Sequence, residues 1–264
     1  MSGRKGYADG PDGQVHYRDA GGSGLPLLLL HQTPCHLGQF DPAFALLAAA
    51  GLRPVAVDTP GYGQSDPPRG TPTIAAYARA MLAVLDHLRL GAADVLGHHT
   101  GASTAAELAV TAPRRIRRVI LNGPPLFTPE ERSDYLAAIA AAPRPEQRAD
   151  GGHLQAYWDR RARFTPGWTS VAAMHRGVVM MLAAEPRERD GYTAAFAHDI
   201  GVPLRAITQP ALILTNTGDD LYGTSCRARD LRPDFAFVAL EGGTHDIVDE
   251  QPEAWATAVV GFLG

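Results

Sequence analysis

Short apolar runs alternate with alanine- and leucine-rich helical stretches along most of this chain, and that alternation constrains the fold more than any other feature. Leu25–His31 is continuously apolar, as expected of a strand covered on both faces. Gln14–Ala20, Pro54–Asp58, Asp94–His98 and Arg117–Asn122 read as further strands, with helices at Phe40–Ala50, Ile74–Leu90 and Gly101–Thr111. Gly51 and Gly91 close the first two helices. After Pro124 the alternation stops. It returns with strands at Ala211–Thr217 and Phe235–Glu241 and a helix at Ala254–Leu263. Alternating β and α with apolar strands predicts a mostly parallel twisted sheet covered by helices on both faces, an α/β class. The interrupted middle is too long and too aromatic for a plain connection. It predicts a helical lid at 124–205, inserted after the sixth strand, on a core formed by 1–123 and 206–264.

Composition bounds the function classes. With 264 residues, 45% hydrophobic, the chain can bury a substantial core. A net charge of −4 carries no nucleic-acid footprint. Cys35 and Cys226 supply no disulfide framework, so a reducing cytoplasm is the expectation. The start MSGRKGYADGPDG has no apolar core of a signal peptide, and the Leu25–Leu30 run is too short to span a membrane. The expected partner is therefore a small molecule, with no nucleic acid and no membrane, for a monomer or homodimer. There is no Gly-x-Gly-x-x-Gly fingerprint or P-loop, and Gly61-Tyr62-Gly63 is a loop rather than a phosphate site. No cofactor is expected.

The segment Val95-Leu96-Gly97-His98-His99-Thr100-Gly101-Ala102 reads as a strand entering a sharp turn and then a helix, with small residues where the turn is crowded. Four further motifs occur in order: Leu28-Leu29-Leu30-His31-Gln32-Thr33-Pro34, Asp58-Thr59-Pro60-Gly61-Tyr62-Gly63-Gln64-Ser65-Asp66, Gly218-Asp219-Asp220 and Gly242-Gly243-Thr244-His245. Together they resemble the α/β-hydrolase fold family over nearly the whole chain, closest to lidded small-molecule hydrolases. Gly97–Gly101 resembles the family's nucleophile elbow, Gly-x-Ser-x-Gly. His99 stands where that family carries Ser, Asp or Cys, and Gln32 replaces a glycine of the oxyanion loop.

The resemblance implies roles. His245 would be the base, oriented by Asp220, with Asp219 as the rival because the acid turn carries an extra residue. Backbone N–H groups of Gln32 and Thr100 would hold an oxyanion. For His99 three readings stand: a nucleophile forming an acyl- or alkyl-imidazole, a base acting on water or substrate, or inert filler. Thr100 and Ser103 are structural hydroxyls, since an elbow exposes only its central residue. His98 and His31 read as packed, hydrogen-bonding histidines and Cys35 as a small buried residue, and these three, with Tyr157, Trp158, Trp168 and Met180 of the lid, are the expected substrate-pocket residues. Tyr157, Trp158, Phe164, Trp168, Met174, Met180, Met181, Tyr192 and Phe196 supply an aromatic, Met-rich lid suited to an apolar substrate. His98, His99, His245 and an aspartate are chemically suitable zinc ligands, but neighbours on an elbow point apart and no compact ligand motif is present, so no metal is expected.

The implied function is cofactor-free hydrolysis of a small, largely apolar ester, lactone, amide or activated C–C bond. The alternative is a non-hydrolytic proton-transfer enzyme (cyclase, isomerase, lyase or decarboxylase) on the same fold. A second alternative is an inactive ligand-binding homologue.

Overall fold

The computed structural model describes residues 3–143, 146–167, 170–185 and 187–264. Eight strands form one sheet: β1 Arg4–Asp9, β2 Gln14–Asp19, β3 Leu25–Leu30, β4 Leu52–Val57, β5 Ala93–His98, β6 Ile116–Asn122, β7 Ala211–Asn216 and β8 Ala236–Leu240. Their spatial order is β1-β2-β4-β3-β5-β6-β7-β8. β1–β2 and β2–β4 pair antiparallel, and all other neighbours pair parallel. The helices are α1 Asp41–Ala49, α2 Ile74–His87, α3 Thr100–Thr111, α4 Pro129–Ala141, α5 Gly152–Phe164, α6 Val171–Ala184, α7 Glu188–Ala197, α8 Gly201–Ala206, α9 Tyr222–Leu231, α10 Ile247–Glu250 and α11 Pro252–Leu263.

The central strands β3 to β7 are largely apolar because both faces are covered. Leu28, Leu30, Val95, Val119 and Ile213 pack with residues of α2, α3 and α8. Leu27, Leu29, Leu96, Ile120 and Leu212 face the other way, towards α1 and α11. That is the period-two alternation of a strand read on a doubly covered sheet. β1 carries no apolar run, because only Ala8 of its six residues is buried. α9 likewise lacks a strong apolar stripe and was not expected from the sequence.

Among the described residues, five helices, α4 to α8, separate β6 from β7. Ile200, Leu204 and Ile207 are buried in the same cluster as Val119 and Ile213. The helical excursion therefore rejoins the sheet at Ile200, a few residues before the boundary drawn from sequence at 205. Tyr62 ties the excursion to the core. Its hydroxyl accepts the Gly191 N–H at 2.7 Å and donates to the Arg187 carbonyl at 3.1 Å.

The turn from β5 into α3 is closed by steric necessity. A Cβ on Gly97 would lie 2.0 Å from the Gly101 carbonyl oxygen, and one on Gly101 would lie 2.1 Å from the Leu30 carbonyl oxygen. Both contacts are to backbone, which cannot swing aside. Gly101→Ala is expected to lower stability by about 3 kcal/mol, on the order of 5–10 °C in Tm. Gly91→Ala, with nothing within 4 Å of the added methyl, should leave the thermal transition unchanged. Differential scanning calorimetry of the two variants checks the pair.

Candidate active site

His99 sits at the tip of that turn with φ 50° and ψ −108°, a left-handed conformation that side chains other than glycine seldom adopt. Its N–H donates to the Asn122 carbonyl at 2.8 Å, and its own carbonyl accepts from Ala102 at 2.8 Å. Asn122, in turn, accepts the Trp255 indole N–H at 2.6 Å, so α11 fixes the end of β6 beside the turn. The imidazole is thereby thrust out of the sheet into a cavity of about 420 Å³.

The acid turn after β7 delivers Asp219 to His99. His99 Nε2 lies 2.9 Å from Asp219 Oδ2, and the other carboxylate oxygen accepts the Leu221 N–H at 2.9 Å. Burial, the largest single influence, works against a charged His99 ring. The charge and hydrogen bond of Asp219 outweigh it, so the His99 pKa is raised above 6.5. Burial likewise works against a charged Asp219, but the facing imidazole and the hydrogen bonds it accepts hold that carboxyl well below the usual carboxylate range. Asp220 is pushed the other way by burial.

This wiring differs from the one expected from sequence. Asp220 lines the cavity, but it is Asp219 that accepts from a histidine, and that histidine is His99. His245 Nε2 instead accepts from Arg161 Nη1 at 2.9 Å, and lies 3.3 Å from Asp246 Oδ2. Arg161 also pairs with Asp246 through Nη2, both side chains being buried. The physical reason is the neighbour on α5. A guanidinium always carries its charge and donates, so it takes the lone pair that a base would need. Burial lowers the His245 pKa, with Arg161 adding to the shift against Asp246. His99 and His245 rings stand 6.5 Å apart across the cavity floor.

The oxyanion loop is also committed. The Gln32 N–H donates to Gln39 Oε1 at 2.9 Å, and its side-chain amide donates to Asp246 Oδ1 at 3.3 Å. Gln39 lies in a 3-10 turn at Leu37–Phe40. Since its oxygen faces Gln32, its amide nitrogen faces His98 Nδ1 and donates there. Thr100 keeps the position expected of it at the start of α3, where backbone N–H groups have no partner within the helix, and it lines the cavity. Ser103 is fully buried a turn further on and does not reach the cavity.

Of the pocket residues expected from sequence, His31, Cys35, His98, Tyr157, Trp158 and Met180 do not line the cavity. His31 is a strut: Nε2 accepts the Thr59 N–H at 2.9 Å, Nδ1 donates to the Gln32 carbonyl at 2.8 Å, and burial pulls its pKa down to about 4. Cys35 is buried beneath the loop, where desolvation pushes its thiol up to about 12. His98 is fully buried, edge-on to His99 at 4.4 Å, and burial lowers its pKa far below 6.5. Tyr157 and Trp158 pack α5 onto α6 with Val178 and Met181, and Met180 reaches Gly38. Trp168 lies outside the described residues. Phe164, Met181, Tyr192 and Phe196 do line the cavity, as an aromatic lid predicts.

Arg160, Arg161, Glu188 and Arg189 also line it, and sequence reasoning missed all four along with Gln39 and Asp246. An arginine-rich helix such as Trp158–Phe164 reads as a solvated face, and no local signal marks one guanidinium as buried. Among the described residues, one donor cluster (His98, His99 and Asp219) brings potential metal-ligand atoms within 4.8 Å of one another. Of these groups, His98 Nδ1 and His99 Nε2 are engaged in hydrogen bonds with Gln39 and Asp219.

A family model for the alpha/beta hydrolase fold matches residues 26–175, more than half of the chain. The chain is 25% identical over 256 residues to the 2-(acetamidomethylene)succinate hydrolase of Mesorhizobium japonicum, covering 92% of this chain and 89% of that protein. It is 35% identical over 130 residues to the 2-hydroxy-6-oxononadienedioate/2-hydroxy-6-oxononatrienedioate hydrolase of Burkholderia vietnamiensis, covering 46% of this chain and 45% of that protein. The chain thus spans less than half the length of the first curated relatives it matches. Among solved structures, the enol-lactonase from Burkholderia xenovorans LB400 superposes with a TM-score of 0.75 at 25% identity, covering 98% of this chain and 99% of that one. On the sheet order, the elbow and the family match, this chain belongs to the alpha/beta hydrolase fold family.

Proposed function

We propose that the chain is a hydrolase of small, largely apolar carbonyl compounds, in which His99, oriented by Asp219, acts as the general base. The observation that carries this reading is the 2.9 Å contact between His99 Nε2 and Asp219 at the tip of a strained elbow. Relatives named as hydrolases of small molecules support the coarser part. With Nε2–H given to Asp219, the lone pair of His99 is on Nδ1, which makes no hydrogen bond among the described residues. Nδ1 adjoins the branch to Cβ, so it is crowded for attack on carbon and open enough for a proton. It takes the proton of a water as the water oxygen attacks the carbonyl carbon, Asp219 stabilises the imidazolium, and the proton passes to the leaving group.

A second reading has its own support. Gln39 occupies the Gln32 N–H, one of two backbone donors on which acyl transfer in this fold relies. The same base would then remove a proton from carbon next to a carbonyl. Solvent deuterium entering recovered substrate without net hydrolysis would favour this reading.

Intact-protein mass spectrometry and turnover with p-nitrophenyl acetate and dihydrocoumarin test the base. Turnover without an adduct is expected, with kcat/KM falling on the order of 10²–10⁴-fold in His99→Ala. A stable adduct on the wild type that His99→Ala lacks would make His99 a nucleophile instead.

The pH profile gives an independent check. His99 must be neutral to accept a proton, and its folded pKa is raised above 6.5. The rate should therefore climb with pH along a limb centred above 6.5. In Asp219→Asn, burial acts without the opposing charge, so the limb should move to lower pH while the maximal rate falls. Stopped-flow rates across pH 5–9 read both.

A further inference from the structure

The base creates a charge that another group must receive. Proton removal from water or carbon leaves negative charge on the carbonyl oxygen, and a buried site must answer it with donors. On the oxyanion loop the Gln32 N–H is taken by Gln39, and the Gln32 amide is turned to Asp246. Of the backbone arrangement that the family resemblance implies, the start of α3 at Thr100 remains.

The lid brings a hydroxyl to that loop. Tyr192 lines the same cavity as His99, Gln32 and Thr33, and its hydroxyl makes no hydrogen bond among the described residues. The residue before it packs α7 onto the loop. A Cβ on Gly191 would lie 2.1 Å from Thr33 Oγ1 and 2.7 Å from the Tyr62 hydroxyl, and the Gly191 N–H donates to that same hydroxyl at 2.7 Å. Only glycine lets α7 come this close, and Tyr192 follows it into the cavity. The ring is held in a file: it stacks on Phe196 at 6.5 Å and 13°, and Phe196 stacks on Tyr135 at 4.6 Å and 10°. Burial is the largest influence on the phenol, followed by the charges of Glu188, Cys35 and Arg160. Glu188 and Arg160 line the cavity and Cys35 lies beneath the loop, which places the hydroxyl end inside. Burial pushes the phenol's pKa up, so it keeps its proton and remains a donor.

We propose that Tyr192 is a catalytic residue whose hydroxyl donates to the substrate carbonyl oxygen, taking the place of the Gln32 backbone N–H. This rests on the reading of His99 as the base. The phenol keeps its proton throughout. Its hydrogen bond strengthens as the oxygen gains charge, and no bond is made or broken at Tyr192. The core then supplies the proton acceptor and the lid supplies the oxyanion donor, so the site is complete only with α7 seated on the loop after β3.

Isotope-edited infrared spectroscopy of bound acetophenone, labelled at its carbonyl carbon, is the test. A ring with one carbonyl and no bond to hydrolyse reports the donor directly, because a hydrogen bond lowers the C=O stretching frequency. Tyr192→Phe removes the hydroxyl and keeps the stacked ring, and its fold is checked by Tm. The expected result is a carbonyl band at lower frequency in the wild type than in Tyr192→Phe. With p-nitrophenyl acetate, kcat should fall on the order of 10²–10³-fold in Tyr192→Phe while KM changes little. The ketone undergoes no hydrolysis, so a failure of the base reading would show in the turnover of His99→Ala and leave the infrared difference standing. Equal frequencies in the wild type and a folded Tyr192→Phe would assign the oxygen to Thr100 and overturn the proposal. So would a ketone that the wild type does not bind.

Discussion

The hydrogen bond between His99 and Asp219 is the contact around which the site is arranged. It joins two segments far apart in sequence, the turn after β5 and the turn after β7, across the intervening strand β6. His99 is held in a left-handed backbone conformation that costs roughly 1–3 kcal/mol, so the surroundings must over-determine it. They do so through the Asn122 carbonyl, the close approach of Gly101 to Leu30, and the carboxylate itself. The pair also explains why one imidazole of the adjacent two carries the higher proton affinity. His98 lies fully buried and accepts from Gln39, while His99 faces a carboxylate. Two adjacent histidines therefore have opposite electrostatic fates, set by neighbours and not by residue type.

A second network crosses from the helical excursion to the core. Arg161, Asp246, His245 and Gln32 connect α5, the late histidine loop and the loop after β3. Each charge is partnered, as burial requires. Because the network passes through both the excursion and the loop, the cavity wall and the site chemistry are fixed by the same bonds. An apolar interior lined by Phe164, Met181, Tyr192 and Phe196 then sets the character of what fits, while the polar floor sets what can be done to it.

Much of the fold was legible because apolar runs, glycines and the elbow are local signals. Leu25–Leu30 and Ala211–Asn216 announce buried strands, and Gly97 and Gly101 announce a turn that admits no side chain. β1 was hidden since one buried alanine makes no pattern, and α9 since its sequence, Tyr222 to Leu231, is largely polar. At the site, His99, Asp220 and His245 were expected as catalytic residues and Gln32 and Thr100 as oxyanion donors, and all five line the cavity. Their partners were not legible. Asp219 and Asp220 are adjacent, and which of them faces a histidine depends on the path of one loop. Arg161 sits among arginines that resemble a solvated face.

The sequence by itself determined the sheet, the elbow and the presence of a histidine at its tip, because these follow from side-chain periodicity and from contacts that only glycine permits. Tertiary structure decided which acid meets which imidazole, which backbone N–H is already spent, and which guanidinium is buried. Those choices rest on hydrogen bonds between segments up to 214 residues apart, such as Gln32 with Asp246. No local pattern encodes them, since a donor and an acceptor become a pair only when the fold removes the water between them.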